Sequence, residues 1–427
     1  PLGGCNFAVL FPLWDMLLSF TTSSEEPISG GRHKVLGSKE LFIPPQTSTI
    51  ASHLPKAVGA AYSIGLNKKL GRAGALPPDA VIICSFGDAS LNHSTAQGAI
   101  NTASWTAYQN VPLPLVWVCE DNGIGISTPT PQGWVHASMA NKPAIKYFYC
   151  NGLDIIDTHR IAREVEEYTR KTRKPAFLHM GCVRLFGHAG PDAQHMYLSA
   201  AQIETMEAHD PLLYSARILI ENNILSAAQI LDLYNETDAR VTRVAEQAIK
   251  RPKLKTAADV MASIVPPKKS APPAVVPAAE REKIFKDESA SLPNPQHMGK
   301  LINWALADVM LENPNVVLAG EHIAPKGGVY AVTTKLHARF GAHRVINTLL
   351  DEQSILGLAI GLAHNDVICI PEIQFLAYLH NAEDQLRGEA STLSFFSKGQ
   401  YTNPMVVRIA VLAYQKGFGG HFHNDNS

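Results

Sequence analysis

The 427-residue chain has few features that would assign it to a membrane, a nucleic acid or a disulfide framework. Its six cysteines are scattered without a CxxC pair, so neither a zinc site nor a set of disulfides is indicated, and we expect buried reduced thiols. No apolar run reaches the roughly 20 residues that span a bilayer. The 37 basic and 38 acidic residues nearly cancel, which leaves no overall field to attract nucleic acid or an anionic membrane. We therefore expect a cytoplasmic protein whose specificity resides in a local site.

Length and composition predict a globular protein with at least two domains. Hydrophobic residues make up 46% and charged residues 18% of the chain, and its length exceeds the roughly 100–200 residues of one domain. A stretch rich in Pro, Lys and Ala has the chemistry of a linker. We predict a first domain over residues 1–252, this linker over 253–295 and a second domain over 296–427. Because the chain begins with Pro1 and not Met, we also expect a piece of a longer protein.

Apolar runs alternate with helices rich in small residues, which predicts parallel α/β sheets. In the first domain a helix over KAVGAAYSIGLNKKL precedes a strand over residues 80–86, a helix over 95–108 and a strand over 113–119. In the second domain, helices over 297–311 and 355–364 accompany strands over 316–319 and 367–370. The expected fold class is α/β, with two doubly wound parallel sheets flanked by helices. Ligand sites in such sheets lie at the carboxyl ends of the strands.

Two polar side chains follow neighbouring strands of the first domain. Asp88 comes directly after one buried strand, and Asn122 follows the next. A carboxylate and an amide oxygen at the same sheet edge suit a hard divalent cation that shares oxygen ligands with a diphosphate. Each dipeptide alone is more often an ordinary turn. The pairing across two buried strands favours a cation site.

The text around these residues resembles the thiamine-diphosphate motif of the decarboxylating first component of 2-oxoacid dehydrogenase complexes. The match runs over residues 87–128 (GDASLNHSTAQGAINTASWTAYQNVPLPLVWVCEDNGIGIST). Here the family's GDG is GDA, and its two asparagines are Asp121-Asn122. The resemblance implies thiamine diphosphate and Mg²⁺ as cofactors, with Asp88, Asn122 and the carbonyl of Ile124 as metal ligands. The cofactor-binding residues it implies in this segment are Gly87, Asp88, Ala89, Asn122 and Ile124.

Two further segments resemble the alpha chains of the family. PPQTSTIASHLPKAVGAA is similar to the segment that lines the thiazolium side of the cofactor, which implies that Ser48 and Ile50 contact it; ordinary core packing is the alternative for Ile50. VRLFGHAGPDAQHMYL is similar to a loop with a histidine beside the reactive carbon. That histidine is His188, and an exposed loop histidine is the alternative.

The second domain resembles the beginning of the beta chain, which binds the pyrimidine ring. In DEQSILGLAIG the resemblance implies that Glu352 contacts the ring nitrogen N1′, although an acid at a helix start also stabilises the helix dipole. Tyr378 falls on the aromatic position that packs on the pyrimidine. GFGGHFHNDNS resembles the turn that holds a second active-site histidine, which is His423 here. Asp384 and Gln385 match a recurrent Asp-Gln pair of the beta chain. We expect this pair to have a structural role at an interface and no role in the chemistry.

The order of these segments indicates an alpha-type and a beta-type domain fused in one chain, similar to the bacterial branched-chain (2-oxoisovalerate) type. The resemblance implies oxidative decarboxylation of a 2-oxo acid through a ylide and an enamine of the cofactor, with transfer to a lipoyl group on a partner acyltransferase. It also implies a homo-oligomer. Alternatives are another thiamine enzyme, such as pyruvate or acetoin dehydrogenase or a transketolase-like synthase, and a fragment that assembles without catalysing.

Overall fold

The computed structural model describes residues 12–265, 275–276 and 278–411. We call residues 12–265 the first half and residues 278–411 the second half. The first half contains the helices α1 (Leu13–Phe20), α2 (His53–Lys69), α3 (Asp88–Leu91), α4 (Ser94–Tyr108), α5 (Trp134–Met139), α6 (Ile155–Thr172), α7 (Ala200–Glu207), α8 (Pro211–Glu221), α9 (Ala227–Ala248) and α10 (Ala257–Met261). The second half contains α11 (Ala278–Phe285), α12 (Met298–Glu312), α13 (Leu336–Phe340), α14 (Glu352–Ala363), α15 (Leu393–Phe396), and the π-helix Gln385–Ala390. Short 3-10 helices cover residues 194–196, 286–291, 329–331 and 376–382.

The first half is built on a parallel sheet in the order β1-β2-β4-β3. Its strands are β1 (Ile82–Gly87), β2 (Leu115–Asp121), β3 (Lys146–Asn151) and β4 (Ala176–Gly181). The central strand β2 is buried along its first five residues because α2 and α4 cover one face and α6 covers the other. Its carboxyl end leads directly to Asn122, and that of β1 leads to Asp88.

The second half repeats this plan with the strand order β6-β5-β7-β8, again entirely parallel. The strands are β5 (Val316–Gly320), β6 (Val345–Asn347), β7 (Ile368–Ile373) and β8 (Arg408–Ile409). The predicted α/β class with parallel sheets flanked by helices is therefore confirmed.

Helices α2 and α14 join the two halves through an unusually close crossing. A Cβ atom on Gly361 would lie 2.1 Å from the carbonyl oxygen of Lys56, and one on Gly59 would lie 2.3 Å from that of Leu358. Only glycine allows the two backbones to approach this closely. The contact surface between the halves is thus formed by the small residues of both helices. These residues are the Ala/Gly-rich segments of the sequence.

Part of the segment predicted as a linker is folded. Within residues 253–295, helix α11 and the 3-10 helix after it pack against the second half, where Phe285 is buried. Glu288 anchors this stretch through ion pairs at 2.6 Å to both Lys300 and Arg339. The domain division itself stays a prediction, and the structure adds that residues 278–292 pack as part of the second half.

Candidate active site

Asp88 lies at the carboxyl edge of the first sheet and is only 1% exposed. It opens the four-residue helix α3, so its carboxylate follows β1 immediately. The hydroxyl of Thr130 donates a hydrogen bond to Asp88 Oδ2, and the backbone N–H of Asn122 also points to this carboxylate. Because Gly87 pairs with Glu120 on β2, the two strand ends bring Asp88 and Asn122 together as the sequence predicted.

The charge on Asp88 has no basic partner among the residues that the structure describes. Burial raises the pKa of Asp88, and the nearby carboxylate of Asp121 raises it further. Removing a carboxylate from water is costly unless a cation or several hydrogen bonds compensate. Here the donors to Asp88 among the described residues are neutral, so the site has the electrostatic character of a position that a cation would fill.

The loop after β2 presents further oxygen atoms beside Asp88. Asn122 Oδ1 accepts a hydrogen bond from the N–H of Ile124 at 3.1 Å, and Gly123 between them has a φ of 75°, which favours glycine. Ile124 forms a bridge with Pro129, so its backbone is fixed. In the described part of the chain no three His, Cys, Asp or Glu side chains converge on one point. The donor set is one carboxylate plus neutral oxygens, which fits Mg²⁺ with a diphosphate completing the ligands.

A partly buried network that could not be predicted from the sequence supports this loop. Asp121 Oδ2 lies 2.8 Å from Nε2 of His179, whose Nδ1 lies 2.7 Å from the hydroxyl of Tyr147. Asp121 also accepts the N–H of Gly123 at 3.0 Å. The hydrogen bond from His179 lowers the pKa of Asp121 below its usual value. The only signal in the sequence is a histidine inside the otherwise apolar run of β4.

His188 lies on a loop that is tied to the same region. Its N–H donates to Asp192 Oδ2 at 2.6 Å, and that oxygen also accepts the hydroxyl of Tyr197. Arg184 donates to Tyr197 and to the carbonyl oxygens of Gly125 and Ile126, next to the proposed metal ligand Ile124. The imidazole is partly buried, which lowers the pKa of His188 and favours the neutral form at pH 7.

Ser48 and Ile50 lie on a short segment between the halves, and both side chains are exposed. Ile50 is 45% exposed, so it does not belong to the core and is available to contact a ligand. His53 begins α2. Its Nε2 lies 2.9 Å from the carbonyl oxygen of Ser85 on β1, and burial lowers its pKa.

Glu352 is the first residue of α14 and is partly buried. Asn381 donates a hydrogen bond to Glu352 Oε2 at 3.2 Å. Glu321, which follows β5, is 5% exposed, and burial together with the charges of Glu352 and Asp351 raises its pKa to about 7. The carboxyl edge of the second sheet therefore carries a group of acids around Glu352.

The start of α14 contacts the first half beside the cation site. The hydroxyl of Thr95, on α4, donates to the side-chain oxygen of Gln353. A Cβ atom on Gly98 of the same helix would lie 2.1 Å from Asp351 Oδ2. Helix α4, which carries both Thr95 and Gly98, begins six residues after Asp88.

The aromatic and interface residues of the second half fall on one short stretch. Tyr378 packs with Ile355 and Leu356 of α14, and its ring meets Phe375 edge-on with centroids 5.7 Å apart. Gln385 is fully buried and donates to the carbonyl oxygen of Ser52 at 2.9 Å, which places it at the contact between the halves. Asp384 instead pairs with Arg387 at the surface, and the expected role of the two residues stays a prediction. His423 lies outside the described residues.

Two parallel sheets, with a buried carboxylate and neutral oxygens at the carboxyl edge of the first, are typical of a cofactor-binding α/β protein. A family profile described as "Dehydrogenase E1 component" matches residues 8–257, which is more than half of the chain, and the chain therefore belongs to this family. A second profile, "Transketolase, pyrimidine binding domain", matches residues 294–417. Both families depend on thiamine diphosphate, usually with Mg²⁺. The predicted family, with alpha-like and beta-like domains in one chain, is confirmed.

Similar proteins also include beta subunits of such enzymes. The "3-methyl-2-oxobutanoate dehydrogenase subunit beta" of Mycobacterium tuberculosis (strain H37Rv) is 36% identical over 130 residues, 30% of this chain and 36% of that protein. The "2-oxoisovalerate dehydrogenase subunit beta, mitochondrial" of Dictyostelium discoideum is 36% identical over 140 residues, 33% and 37% of the two chains. The "Pyruvate dehydrogenase E1 component subunit beta" of Bacillus subtilis is 33% identical over 126 residues, 30% and 37%. The chain thus spans little more than a third of the length of these relatives.

Proposed function

We propose that this chain acts in the oxidative decarboxylation of a 2-oxo acid, as the first component of a 2-oxoacid dehydrogenase complex. The observation that carries the proposal is the buried Asp88 carboxylate, which has no described basic partner and lies beside Asn122. A position of this kind favours a cation strongly. The chain belongs to a family that depends on thiamine diphosphate, and the diphosphate group of this cofactor would bind the cation.

Asp88, Asn122 and the carbonyl oxygen of Ile124 would hold Mg²⁺, and Gly87 and Ala89 would lie against the diphosphate. The Asx turn at Asn122 supports this arrangement because it fixes the amide group beside the Ile124 backbone. The hydrogen bond between Asp121 and His179 of β4 would hold the loop that follows β2 in place.

Glu352 would hold a proton at the pyrimidine ring nitrogen, with Asn381 orienting its carboxyl group. Tyr378 would pack on the pyrimidine, and Ser48 and Ile50 would support the thiazolium side. When bound, thiamine diphosphate supplies the electron sink that lets carbon dioxide leave a 2-oxo acid. Enclosure between the two halves would exclude water from this step.

His188 would hold the substrate carboxylate or pass a proton at its imidazole nitrogen. A neutral imidazole can accept a proton at one nitrogen and donate one at the other, and partial burial keeps His188 in that form near pH 7. We keep His423 as a second histidine with this role on the resemblance of its segment alone.

We propose a branched-chain 2-oxo acid as the substrate, because two of the similar proteins are named for 3-methyl-2-oxobutanoate and 2-oxoisovalerate. Pyruvate is the second candidate, because another is named for pyruvate. We further propose that the acyl group passes to a lipoyl group of a partner acyltransferase, and that the enzyme is a cytoplasmic homo-oligomer.

Calorimetric titration of thiamine diphosphate tests the cofactor site. We expect binding with Mg²⁺, loss of binding after chelation, and at least about a hundredfold weaker binding for Asp88→Asn, because a charge-assisted metal contact is removed. Asp154→Asn is the matched control, since Asp154 caps α6 on the same sheet and Asn caps equally well. Binding that survives both chelation and Asp88→Asn would exclude the proposed site. Decarboxylation assays with 3-methyl-2-oxobutanoate and pyruvate would then separate the two substrates.

A further inference from the structure

The second half holds the segment of residues 47–52 from both ends. The carboxylate of Glu389, on the π-helix Gln385–Ala390, accepts the hydroxyl of Ser52 at 2.6 Å and that of Thr47 at 3.2 Å. Gln385 of the same π-helix donates to the carbonyl oxygen of Ser52 at 2.9 Å. The two hydroxyls lie on either side of residues 48–51, so Glu389 contacts the segment at both ends.

Close packing of the Thr49 side chain on the π-helix adds to these hydrogen bonds. A Cβ atom on Gly388 would lie 2.5 Å from the hydroxyl oxygen of Thr49, so a larger residue here would displace the Thr49 side chain. Ala51 has a φ of 61°, a left-handed conformation that is unfavourable for alanine and persists where surrounding contacts impose it. π-Helices are rare and often occur at functional sites.

A buried charge pair fixes Glu389 itself. Its Oε2 lies 2.6 Å from Nζ of Lys56, and the side chains are 0% and 6% exposed. Burial alone would raise the pKa of Glu389, but the Lys56 ammonium and the Ser52 hydroxyl hold it below its usual value. The pair joins α2 of the first half to the π-helix of the second half. Groups of this kind have a single arrangement because any other would leave a buried charge unpaired.

Two side chains between the held ends of this segment are exposed and available to a ligand. Ser48 is exposed, and Ile50 is an apolar side chain with 45% of its surface exposed, although its neighbours Ala51 and Ser52 are buried. An exposed isoleucine on a segment whose backbone is fixed on both sides is preorganised for contact and costs little conformational entropy on binding.

We propose that Glu389 is a positioning residue: through Thr47 and Ser52 it sets the segment that presents Ser48 and Ile50 to the thiazolium side of the cofactor. This role rests on the proposed function. It makes the geometry of one part of the cofactor site, on the first half, depend on a carboxylate of the second half. The cation site at Asp88 has no such dependence, because its described partners all lie in the first half.

Two ligands separate these parts of the site. Inorganic pyrophosphate with Mg²⁺ needs only the cation site, whereas thiamine diphosphate with Mg²⁺ needs the thiazolium side as well. For Glu389→Gln we expect about tenfold weaker binding of thiamine diphosphate and less than about twofold change for pyrophosphate, since one charge-assisted network is weakened. Loss of folding would instead weaken both ligands together.

Thr47→Val with Ser52→Ala gives a second variant that keeps the Lys56–Glu389 pair. Ser52 makes no capping hydrogen bond to α2, so removing its hydroxyl leaves the helix start intact. We expect the same selective loss for thiamine diphosphate. Glu288→Gln is the matched control: Glu288 is also a buried carboxylate paired with cations, but its described partners lie in the second half away from residues 47–52. It should lower the melting temperature without changing the ratio of the two affinities.

Equal weakening of both ligands, or no weakening of thiamine diphosphate, in the Thr47/Ser52 variant would overturn the positioning role. In that case Asp88→Asn still decides the proposed function, because it should abolish binding of both ligands. A wild-type chain that binds neither ligand with Mg²⁺ would overturn the proposed function and the positioning role together.

Discussion

Gly361→Ala should destabilise the contact between the two halves. A Cβ atom at this position would lie 2.1 Å from the carbonyl oxygen of Lys56, 2.5 Å from the nitrogen of Ala60 and 2.7 Å from the Cα of Gly59. All three are backbone atoms, so α2 and α14 must move apart by more than an ångström to restore a contact of about 3.5 Å. Overpacking of this kind costs about 3 kcal/mol, and the better helix propensity of alanine returns about 1 kcal/mol. We expect a net loss of about 2 kcal/mol in the free energy of unfolding.

Urea unfolding followed by tryptophan fluorescence measures this loss, since Trp117 and Trp304 are buried in the two halves. Gly65→Ala is the control on α2, because its Cβ would meet Pro112 at an ordinary 3.6 Å. That variant should be as stable as wild type or about 0.5–1 kcal/mol more stable. Gly59→Ala combined with Gly361→Ala should cost less than the sum of the single changes, because the helices separate only once. An unchanged or more stable Gly361→Ala protein would refute the close crossing.

Three further predictions follow from single groups. Burial lowers the pKa of His364 to about 3, below its unfolded value of 6.5, so the unfolded state binds the extra proton and stability falls as pH drops below 6.5. His364→Phe should remove up to roughly 2 kcal/mol of the stability difference between pH 7 and 5, seen by urea unfolding at both values, and an unchanged difference would contradict this. Glu321 has the opposite behaviour: its folded pKa of about 7 exceeds the unfolded 4.5, so the folded protein loses stability as pH rises between these values. Glu321→Gln should therefore raise the melting temperature at pH 8 but not at pH 4, and equal shifts at both would show a pH-independent cause. Arg184→Met should speed amide hydrogen exchange around His188 by about tenfold, because the tie to Gly125 and Ile126 is lost, whereas Arg160→Met on the α6 surface should leave that segment unchanged.

The sequence predicted those parts of the fold whose signal is local. The apolar runs before Asp88 and Asn122 are β1 and β2, and the small-residue helices are α2, α4 and α14. Strand β3 was not predicted, because only one of its six residues, Cys150, is buried and four of its side chains are aromatic or charged. Strand β6 is only three residues long, which is too short for a hydrophobic period to be visible.

The candidate site was predictable where one segment contains both a ligand and its motif, as for Asp88 and Asn122. It was not predictable where the contact joins distant parts of the chain. Glu389 and Ser52 are 337 residues apart, and Asp121 and His179 are 58 apart. Nothing in the local sequence of Glu389 distinguishes a buried carboxylate from a surface acid, because the burial is created by the other half.

The two sides of the site depend on different parts of the fold, because some of their contacts join residues that are far apart in sequence. Thr47 and Ser52 gain their carboxylate partner only when the second half has packed on α2, so before that contact exists residues 47–52 have only their short-range hydrogen bonds, such as that from Ser52 to the carbonyl oxygen of Thr49. The loop from Asp121 to Ile124 needs only β2 and β4, which are neighbours in one sheet. The cation side should therefore be complete in the folded first half, while the thiazolium side is completed by the interface. Changes that loosen the α2–α14 crossing should for this reason weaken the binding of the whole cofactor more than the binding of its diphosphate end.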